Sequence, residues 1–221
     1  MVVLATKCYV EGDARERAFD GLRSLVDNAI GDLDVEYDIG IRHDDFPSVT
    51  VEGEDAVVAR NVLGEQWGTI TPDFEAGETY TGTLESWDAS GFVLDAGEHI
   101  KIPSSELGLG PGTPEQVRTR FGLIQHVPIQ FVYGEPHRLA DDERDRLYEW
   151  SRGAGRVNVN SATRGEVRAT VNRAGHAQDI ITVERLGLLE QSIVCGEGTD
   201  PPGLLSSIGG YLPAELLCVV P

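Results

Sequence analysis

The sequence predicts an α+β fold built from three small modules, and three patterns along its 221 residues support this prediction. The first third runs in the order strand, helix, strand, strand, helix, and the last third repeats that order and adds a final strand. The middle third runs as three strands, a short helical turn and a fourth strand, which is the order of a small closed barrel. Modules of this size lie near the lower limit for an independent hydrophobic core, so we expect the three to share interfaces.

The first module is predicted over residues 1–72. An apolar run of strand length opens it, and apolar residues at three- and four-residue steps then predict an amphipathic helix. Two strands follow, and Glu54 or Asp55 caps a second helix that turns Val58 and Leu63 inward. Two helices on one face of an antiparallel sheet form the ferredoxin-like arrangement. The predicted elements are a strand at 2–10, a helix at 15–33, strands at 35–41 and 49–51, and a helix ending at Trp67.

The central module is predicted over residues 73–136. Gly91-Phe92-Val93, followed by Ile102-Pro103-Ser104-Ser105-Glu106-Leu107, resembles the S1-type oligonucleotide-binding (OB) fold. In that family a glycine-aromatic-valine strand precedes a strand that ends in an isoleucine-serine-glutamate-leucine turn. This chain departs from the pattern at Pro103, because the family often has a histidine two residues before the serine. The predicted elements are strands near 80–84, 92–94 and 100–102, a helix opened by Thr113 and Pro114, and a strand at 127–133.

The S1/OB resemblance implies a nucleic-acid-binding face on the central barrel. Phe92 is expected on the face where bases stack, with Tyr80 or Trp87 as neighbours. A base stacked on an aromatic ring contributes ~1–3 kcal/mol to binding. The alternative is that Phe92 and Tyr80 are core or interface aromatics.

A charged linker helix is predicted within residues 137–155, and the last module within residues 156–221. Thr163 followed by Glu166 is a capping box that opens a helix, and Gly175 closes that helix. The complete order is βαββαβ, the ferredoxin-like split βαβ order. The predicted elements are strands at 157–160, 180–186 and 188–195, a helix at 204–212 and a strand at 216–220.

The last module also carries basic candidate binding residues. Residues 151–193 hold six arginines against four carboxylates, a local net charge of +2 in a chain whose net charge is −19. Arg164 and Arg168 lie on one polar face of the predicted helix, and Arg156 and Arg173 lie before it and at its end. Such a surface binds phosphates or an acidic partner. The alternative is that these arginines pair with local carboxylates and only solvate a face.

The acidic composition is the strongest global signal. The chain has 37 acidic and 18 basic residues, and only two of the basic residues are lysines, Lys7 and Lys101. Acid excess with scarce lysine favours a halophilic protein; the alternative is an acidic protein with a basic partner. Nucleic-acid binding is not excluded, because at ~1 M salt the Debye length is about 3 Å and distant carboxylates hardly act on a phosphate.

Several classes of protein are disfavoured by what the sequence lacks. No apolar run approaches the ~18 residues of a membrane span and no signal peptide opens the chain, so we expect a cytoplasmic protein without a membrane partner. The three cysteines fit buried small side chains, and the five histidines show no ligand spacing. Because no catalytic motif is present, we predict no catalytic residue, metal or cofactor. The Gly196–Gly203 loop is interpreted as a rigid connector, with anion binding as the alternative.

The last third carries a second resemblance, which extends along the whole chain. It rests on the run from Arg156 to Leu212, with the segments Thr163-Arg164, Arg173-Ala174-Gly175-His176, Val183-Glu184-Arg185-Leu186-Gly187-Leu188-Leu189-Glu190 and Gly198-Thr199-Asp200-Pro201-Pro202-Gly203. These segments resemble an archaeal (haloarchaeal-type) family that is classed only as a domain of unknown function. The resemblance implies a cytoplasmic archaeal protein, and it supplies no activity, cofactor or site residue.

Two functional hypotheses follow, and neither describes an enzyme. The first is an RNA- or nucleic-acid-binding adaptor linked to translation or transcription, which uses the aromatic and arginine residues named above. The second is a protein-interaction subunit of the transcription or translation machinery that makes no direct nucleic-acid contact. A third, weaker option is an enzyme with its site at a module interface. That option predicts a deep cleft holding a carboxylate or histidine with a shifted pKa.

Overall fold

The computed structural model describes residues 1–221 as a mixed α+β protein with three sheets and six α-helices. The α+β class is therefore confirmed, and the three sheets fall in the three predicted thirds of the chain. The strands are β1 (Val2–Val3), β2 (Val35–Ile41), β3 (Pro47–Gly53), β4 (Thr79–Asp88), β5 (Gly91–Asp95), β6 (His99–Pro103), β7 (Pro128–Val132), β8 (Arg138–Leu139), β9 (Arg156–Val159), β10 (Ile180–Arg185), β11 (Gln191–Cys195) and β12 (Leu216–Val219). The helices are α1 (Gly12–Ile30), α2 (Ala56–Trp67), α3 (Pro114–Arg120), α4 (Asp141–Trp150), α5 (Arg164–Arg173) and α6 (Pro201–Gly209), with a 3-10 helix at Ser104–Glu106.

The first sheet has the antiparallel order β1-β3-β2, and both α1 and α2 contribute buried residues to its core. The predicted first strand is shortened to Val2–Val3, and Leu4 forms a single bridge with Thr69 after α2. The chain leaves the sheet there because Thr6 and Lys7, although polar, are buried in contacts with the rest of the protein. Val58 was predicted to face inward, but its side chain is 49% exposed.

The central sheet has five antiparallel strands in the order β6-β5-β4-β7-β8 and curls into a half-barrel. Its edge strands β6 and β8 approach each other without pairing. Leu84 and Phe92 lie in its core, which is closed at one end by α3. Helix α3 begins as predicted, since Thr113 and Gln116 cap each other's backbone N–H and Pro114 occupies the first turn.

Helix α4 was predicted as a linker between modules, and the structure places it against the central sheet instead. Leu147 and Trp150 are buried in the same hydrophobic core as the barrel strands. Glu143, on the same helix, is also buried and accepts a hydrogen bond from the backbone N–H of Gln130 in β7 at 3.3 Å. The helix is thus part of the central unit because its apolar face completes that core.

The last sheet has the antiparallel order β10-β11-β9-β12, with α5 and α6 contributing to its core. The predicted order βαββαβ is observed for residues 156–219. Thr163 and Glu166 form the predicted capping box of α5. Helix α6 begins at Pro201, earlier than predicted, because Asp200 caps it by accepting from the backbone N–H of Gly203.

The three units are joined by polar contacts rather than by free linkers. Lys7 of the first unit lies 2.7 Å from Asp95 of the central half-barrel, and Tyr9 donates to Glu190 of the last unit at 2.6 Å. Arg118 of α3 lies 2.7 Å from Glu215, beside β12. These contacts hold the units against one another. No helix combines the length and the apolar character needed to cross a membrane.

Candidate functional site

A broad groove lies between the central and last units, and arginines from both of them line it. Its volume is about 510 Å³, and we call it the arginine groove. Helix α4 contributes Arg146 and Trp150, α5 contributes Arg164, and β10 contributes Thr182 and Arg185. A second cavity of about 310 Å³ also includes Arg164 and Arg185 and extends toward α1 of the first unit. Arg164 and Arg185 therefore lie between the arginine groove and this second cavity and line both of them.

The electrostatics of the arginine groove are set by which arginines have carboxylate partners. Arg146 is paired with the buried Glu143, and Arg156, just outside the groove, is paired with Glu184. The guanidinium groups of Arg146 and Arg156 also lie 4.9 and 5.2 Å from the centre of the Trp150 ring. Arg164 and Arg185 have no carboxylate within 4.0 Å, so the groove carries two uncompensated positive charges.

Arg185 experiences both burial and the charge of its neighbour. Its guanidinium lies 5.9 Å from the centre of the Trp67 ring of α2, so its side chain reaches the first unit. Burial, and then the positive charge of Arg164, lower the pKa of Arg185 below its usual value. An anion placed between the two guanidinium groups relieves that repulsion, which makes this pair an electrostatic site for an anion.

The four predicted arginines are not equivalent in the structure. Arg164 and Arg168 are exposed on the same side of α5 and make no ion pair. Arg173, five residues beyond Arg168, lies over the Tyr211 ring at 5.9 Å and lines a different cavity with Pro213. Arg156 is neutralised by Glu184. The structure thus brings Arg164 together with Arg185, leaves Arg156 neutralised at the border of the groove and places Arg173 in a different cavity.

Phe92 does not lie on an exposed binding face. Its side chain is 0% exposed and belongs to the central core with Leu84 and Ile102. The prediction of a base-stacking Phe92 is therefore wrong, because the alternation of β5 turns this ring into the half-barrel. The alternative interpretation, that Phe92 is a core aromatic, describes the structure.

The two neighbouring aromatics are also occupied by contacts within the chain. Tyr80 packs against Phe74 at 4.9 Å between ring centres, and its hydroxyl accepts from the backbone N–H of Glu75 at 2.8 Å. Trp87 carries the Arg118 guanidinium on one ring face at 3.8 Å, and its indole N–H donates to Glu115. Neither ring presents two free faces to a base. Nothing in these contacts favours the barrel aromatics over the arginines as binding residues.

Part of the barrel surface expected to bind nucleic acid is covered by the first unit. Lys7 lies between Glu85 of β4 and Asp95 of β5, at 3.1 and 2.7 Å. Gly68, which follows α2, approaches Thr81 so closely that a Cβ there would lie 2.7 Å from the threonine hydroxyl. The surface of β4 and β5 at these residues is an internal interface and is not available to a ligand.

The burial of Phe92 leads to a direct prediction. Phe92→Leu is expected to lower the free energy of unfolding by about 1 kcal/mol, because it reduces packing in the central core at roughly conserved volume. We expect no change in affinity for single-stranded RNA, because the ring contacts no exposed surface. Urea denaturation and fluorescence anisotropy measure the two quantities. A large loss of RNA affinity with unchanged stability would restore the stacking role.

Arg146 and Arg185 are the two arginines of the groove that were not predicted as binding residues. Arg185 ends β10 and Arg164 begins α5. A helix that connects two parallel strands runs opposite to both, so the end of β10 must lie near the start of α5. The predicted βαβ order thus contained the signal for the Arg164–Arg185 pair. Arg146 had no such signal, because α4 was assigned to a linker.

A buried polar cluster at the junction of the three units is the nearest approach to an enzyme site. Glu190 is fully buried, and burial raises the pKa of its carboxyl to about 8. The hydroxyl of Tyr9 accepts from the backbone N–H of Ser161 at 2.9 Å, and its ring lies 4.0 Å from that of His126. None of the cavities described above and below by their lining residues includes Glu190, Tyr9 or His126.

The remaining features considered as sites are the histidines, the cysteines and the Gly196–Gly203 loop, which borders a separate cavity of about 310 Å³. No group of three or more histidine, cysteine, aspartate or glutamate side chains lies close enough together to hold a metal ion. The cysteines are free. In the Gly196–Gly203 loop, Asp200 caps α6 and the hydroxyl of Thr199 donates to the carbonyl of Asp179 at 2.7 Å, so these side chains are engaged within the fold.

Comparison with known proteins identifies three adjacent family models. Their descriptions are the DUF2110 N-terminal domain, matched by residues 1–73, the DUF2110 central domain, matched by residues 74–151, and the DUF2110 C-terminal domain, matched by residues 154–220. The central match includes α4, in agreement with its packing on the half-barrel. No curated protein matches the chain.

Proposed function

We infer that this chain, which belongs to the DUF2110 family along nearly its whole length, is a non-enzymatic adaptor. It binds RNA or another single-stranded nucleic acid through the arginines of its last unit. The adaptor serves translation or transcription. One observation carries the proposal. Five of the eight arginines that make no ion pair lie between residues 152 and 185, in a chain of net charge −19.

The absence of ion pairs at these arginines is informative because acidic side chains are abundant. With 37 aspartates and glutamates in the chain, an arginine that serves only to solvate the surface is expected to find a carboxylate nearby. Arg152, Arg164 and Arg168 are exposed and have none. Guanidinium groups of this kind form forked hydrogen bonds with phosphate oxygens, so they are suited to a polyanion.

The proposed fold assignments are supported by strand order. The order β10-β11-β9-β12 with two helices on one core is the expected order of a ferredoxin-like unit, and β1-β3-β2 is the same order without its fourth strand. The central order β6-β5-β4-β7-β8, with β6 near β8, is that of an S1/OB-like barrel open along one seam. Folds of both kinds occur in RNA-binding proteins, which supports the proposal by analogy alone.

We propose further that binding takes place in concentrated salt, as the acidic composition suggests. Long-range attraction to phosphates is then screened, so affinity rests on close arginine contacts. An exposed pair such as Arg164 and Arg168, one helical turn apart, can contact successive phosphates of a single strand. This picture places the ligand along the outer side of α5 and into the arginine groove.

The double variant Arg164→Gln/Arg168→Gln tests the proposal. We expect it to weaken binding of a mixed-sequence single-stranded RNA at least ~10-fold at 0.2 M KCl, and to reduce the slope of log K against log salt by about 1.4, since each phosphate contact on a single strand contributes ~0.7. Fluorescence anisotropy over a range of KCl concentrations measures both. No binding by the wild-type protein at any salt concentration would refute the proposal.

The matched control removes two charges from the first unit. Arg23 and Arg60 form no ion pair, and neither lies in the last unit, so Arg23→Gln/Arg60→Gln changes the net charge by the same amount. Arg17 is unsuitable because it is paired with Glu166. Equal losses for the two double variants would show that only the net charge matters and not the arginine surface.

One observation favours the second candidate, a protein-interaction subunit. Strand β10 is an edge strand beside the arginine groove, and Ile181 on it is 70% exposed. An unpaired edge of this kind accepts an added strand from a partner protein. Pull-downs from native lysate with and without nuclease separate the two: partners retained after nuclease treatment favour the protein-interaction subunit.

A further inference from the structure

We propose that the arginine groove is the binding site for the terminal phosphate of a nucleic-acid strand, and that it holds the end nucleotide rather than the middle of a chain. This inference deepens the proposed function and rests on it. The ligand group it names is a phosphomonoester. The proposed function itself requires only that the exposed arginines of the last unit contact phosphodiesters.

The charge of the groove matches a dianion. Arg146 and Glu184 are each engaged in an ion pair, so they contribute little net field. The remaining charge is the +2 of Arg164 and Arg185, which lie together in both cavities. A terminal phosphate carries about −1.5 to −2 at pH 7, whereas each internal phosphodiester carries about −1. One terminal phosphate thus neutralises both arginines at a single point.

The groove also supplies hydrogen-bond donors suited to phosphate. Arg164 is the first residue of the ten-residue helix α5, and because the backbone N–H groups of Thr163 and Glu166 are already bonded in the capping box, its guanidinium is the donor that this end of the helix offers. Thr182 lines the groove, and β10, as an edge strand, has no strand partner on its outer side. A terminal phosphate has three free oxygens for these donors, and a phosphodiester has two.

The arginine groove is large enough for one nucleotide and is open at the side where the rest of the strand leaves it. A volume of about 510 Å³ falls within the range of small-molecule sites, which makes it larger than a phosphate needs and large enough for an attached nucleoside. The adjoining cavity of about 310 Å³ continues past Arg164 and Arg185 to Ser24 and Leu25 of α1. The rest of the strand runs from Arg164 past Arg168 along the outer side of α5, and the second cavity leaves Arg164 and Arg185 open on the side of the first unit.

The experiment compares otherwise identical single-stranded RNA ten-mers with a 5′-phosphate, a 3′-phosphate or hydroxyl groups at both ends. Fluorescence anisotropy competition at constant salt gives the affinity of each for the full-length protein. We expect one phosphorylated end to bind ~10-fold more tightly than the hydroxyl-ended oligomer, and inorganic phosphate at millimolar concentration to reduce that difference.

Variants assign the preference to the groove. Arg164→Gln is expected to remove the ~10-fold preference for the phosphorylated end, and Arg185→Gln serves as a second test of the same pair. Arg168→Gln is the matched control, because Arg168 lies one turn along α5 and does not line the groove. This variant should weaken all three oligomers equally and keep the preference. Circular dichroism of each variant checks that it remains folded.

Each result has a distinct meaning. Equal affinity of the wild-type protein for all three oligomers overturns the terminal-phosphate inference and leaves RNA binding in place. Loss of the preference in Arg168→Gln as well as Arg164→Gln overturns the assignment to this groove. Absence of binding by every oligomer overturns the proposed function itself. Tighter binding of a glutamate-rich peptide than of any oligomer, lost in Arg164→Gln, assigns the groove to an acidic protein partner and overturns the inference.

Discussion

Lys7→Met is expected to lower the free energy of unfolding by about 3 kcal/mol, because it leaves two carboxylates without their shared cation. The Lys7 side chain is 7% exposed and lies 2.7 Å from Asp95 and 3.1 Å from Glu85. Burial opposes its charge, but the hydrogen bonds with Asp95 and Glu85 outweigh burial and raise the pKa of Lys7. The ammonium group also lies 5.1 Å from the centre of the Phe46 ring. In the variant the imidazole of His126 remains 3.4 Å from Glu85, whereas Asp95 loses the ammonium group with which it is paired.

The other lysine of the chain is the control. Lys101 lies exposed on β6 and forms no ion pair, so Lys101→Met is expected to change the free energy of unfolding by less than about 0.5 kcal/mol. Urea denaturation in 0.2 M and 2 M KCl measures both variants. Because buried pairs are screened much less than exposed ones, the Lys7→Met loss should persist at high salt. A loss that disappears in 2 M KCl would show that the Lys7 contacts behave as surface ion pairs.

Element order was predictable from the sequence because it depends on local periodicity. The helix over Gly12–Ile30 and the strand over Val35–Ile41 each carry a repeat of their own period, and both are observed. The capping box of α5 was predictable for the same reason, since Thr163 and Glu166 are three residues apart. The first strand was overextended because nothing local distinguishes a strand from a buried irregular segment such as the one that carries Lys7.

The site was harder to predict because it depends on which face each side chain takes. Alternation shows that Phe92 and Leu94 share a face of β5, but it does not say whether that face is the inside of the barrel. The structure places both inside, which removes Phe92 as a ligand contact. The Arg164–Arg185 pair, in contrast, follows from chain direction once the βαβ order is accepted. Contacts between units, such as that of Tyr9 with Glu190, had no local signal.

Glu190 shows how a junction contact of this kind changes stability. It lies just before β11, where the chain closes the β10–β11 hairpin, and its side chain is 0% exposed. The carboxyl sits so close to Gly187 that a Cβ at that position would lie 2.2 Å from Oε2, so only glycine leaves room for it. Oε1 accepts from the Tyr9 hydroxyl, and Oε2 has no hydrogen-bond partner. A charged carboxylate in this position is poorly compensated.

Glu190→Gln is therefore expected to make the protein more stable at neutral pH and to flatten its dependence on pH. Burial raises the pKa of Glu190 to about 8, whereas the unfolded chain ionises this carboxyl near its ordinary value of 4.5. Between these values the unfolded state holds fewer protons at this carboxyl than the folded state, so the contribution of Glu190 to stability is most favourable below about pH 4.5 and falls as pH rises toward 8. From pH 5 to pH 7.5 this carboxyl alone costs roughly 3 kcal/mol. Glutamine is neutral throughout and keeps an oxygen for the Tyr9 hydroxyl.

The measurement is the difference between the unfolding free energies of Glu190→Gln and wild type at pH 5, 6, 7 and 8 in constant salt. Other titrating groups cancel in this difference, so it should grow with pH and level off above about pH 8. Glu197→Gln, which removes an exposed carboxylate from the loop after β11, should give a curve parallel to that of the wild type. If the Glu190→Gln and wild-type curves also run parallel, Glu190 is ionised in the folded protein. The Tyr9 hydroxyl then donates to a buried carboxylate, and the junction of the three units holds a charge.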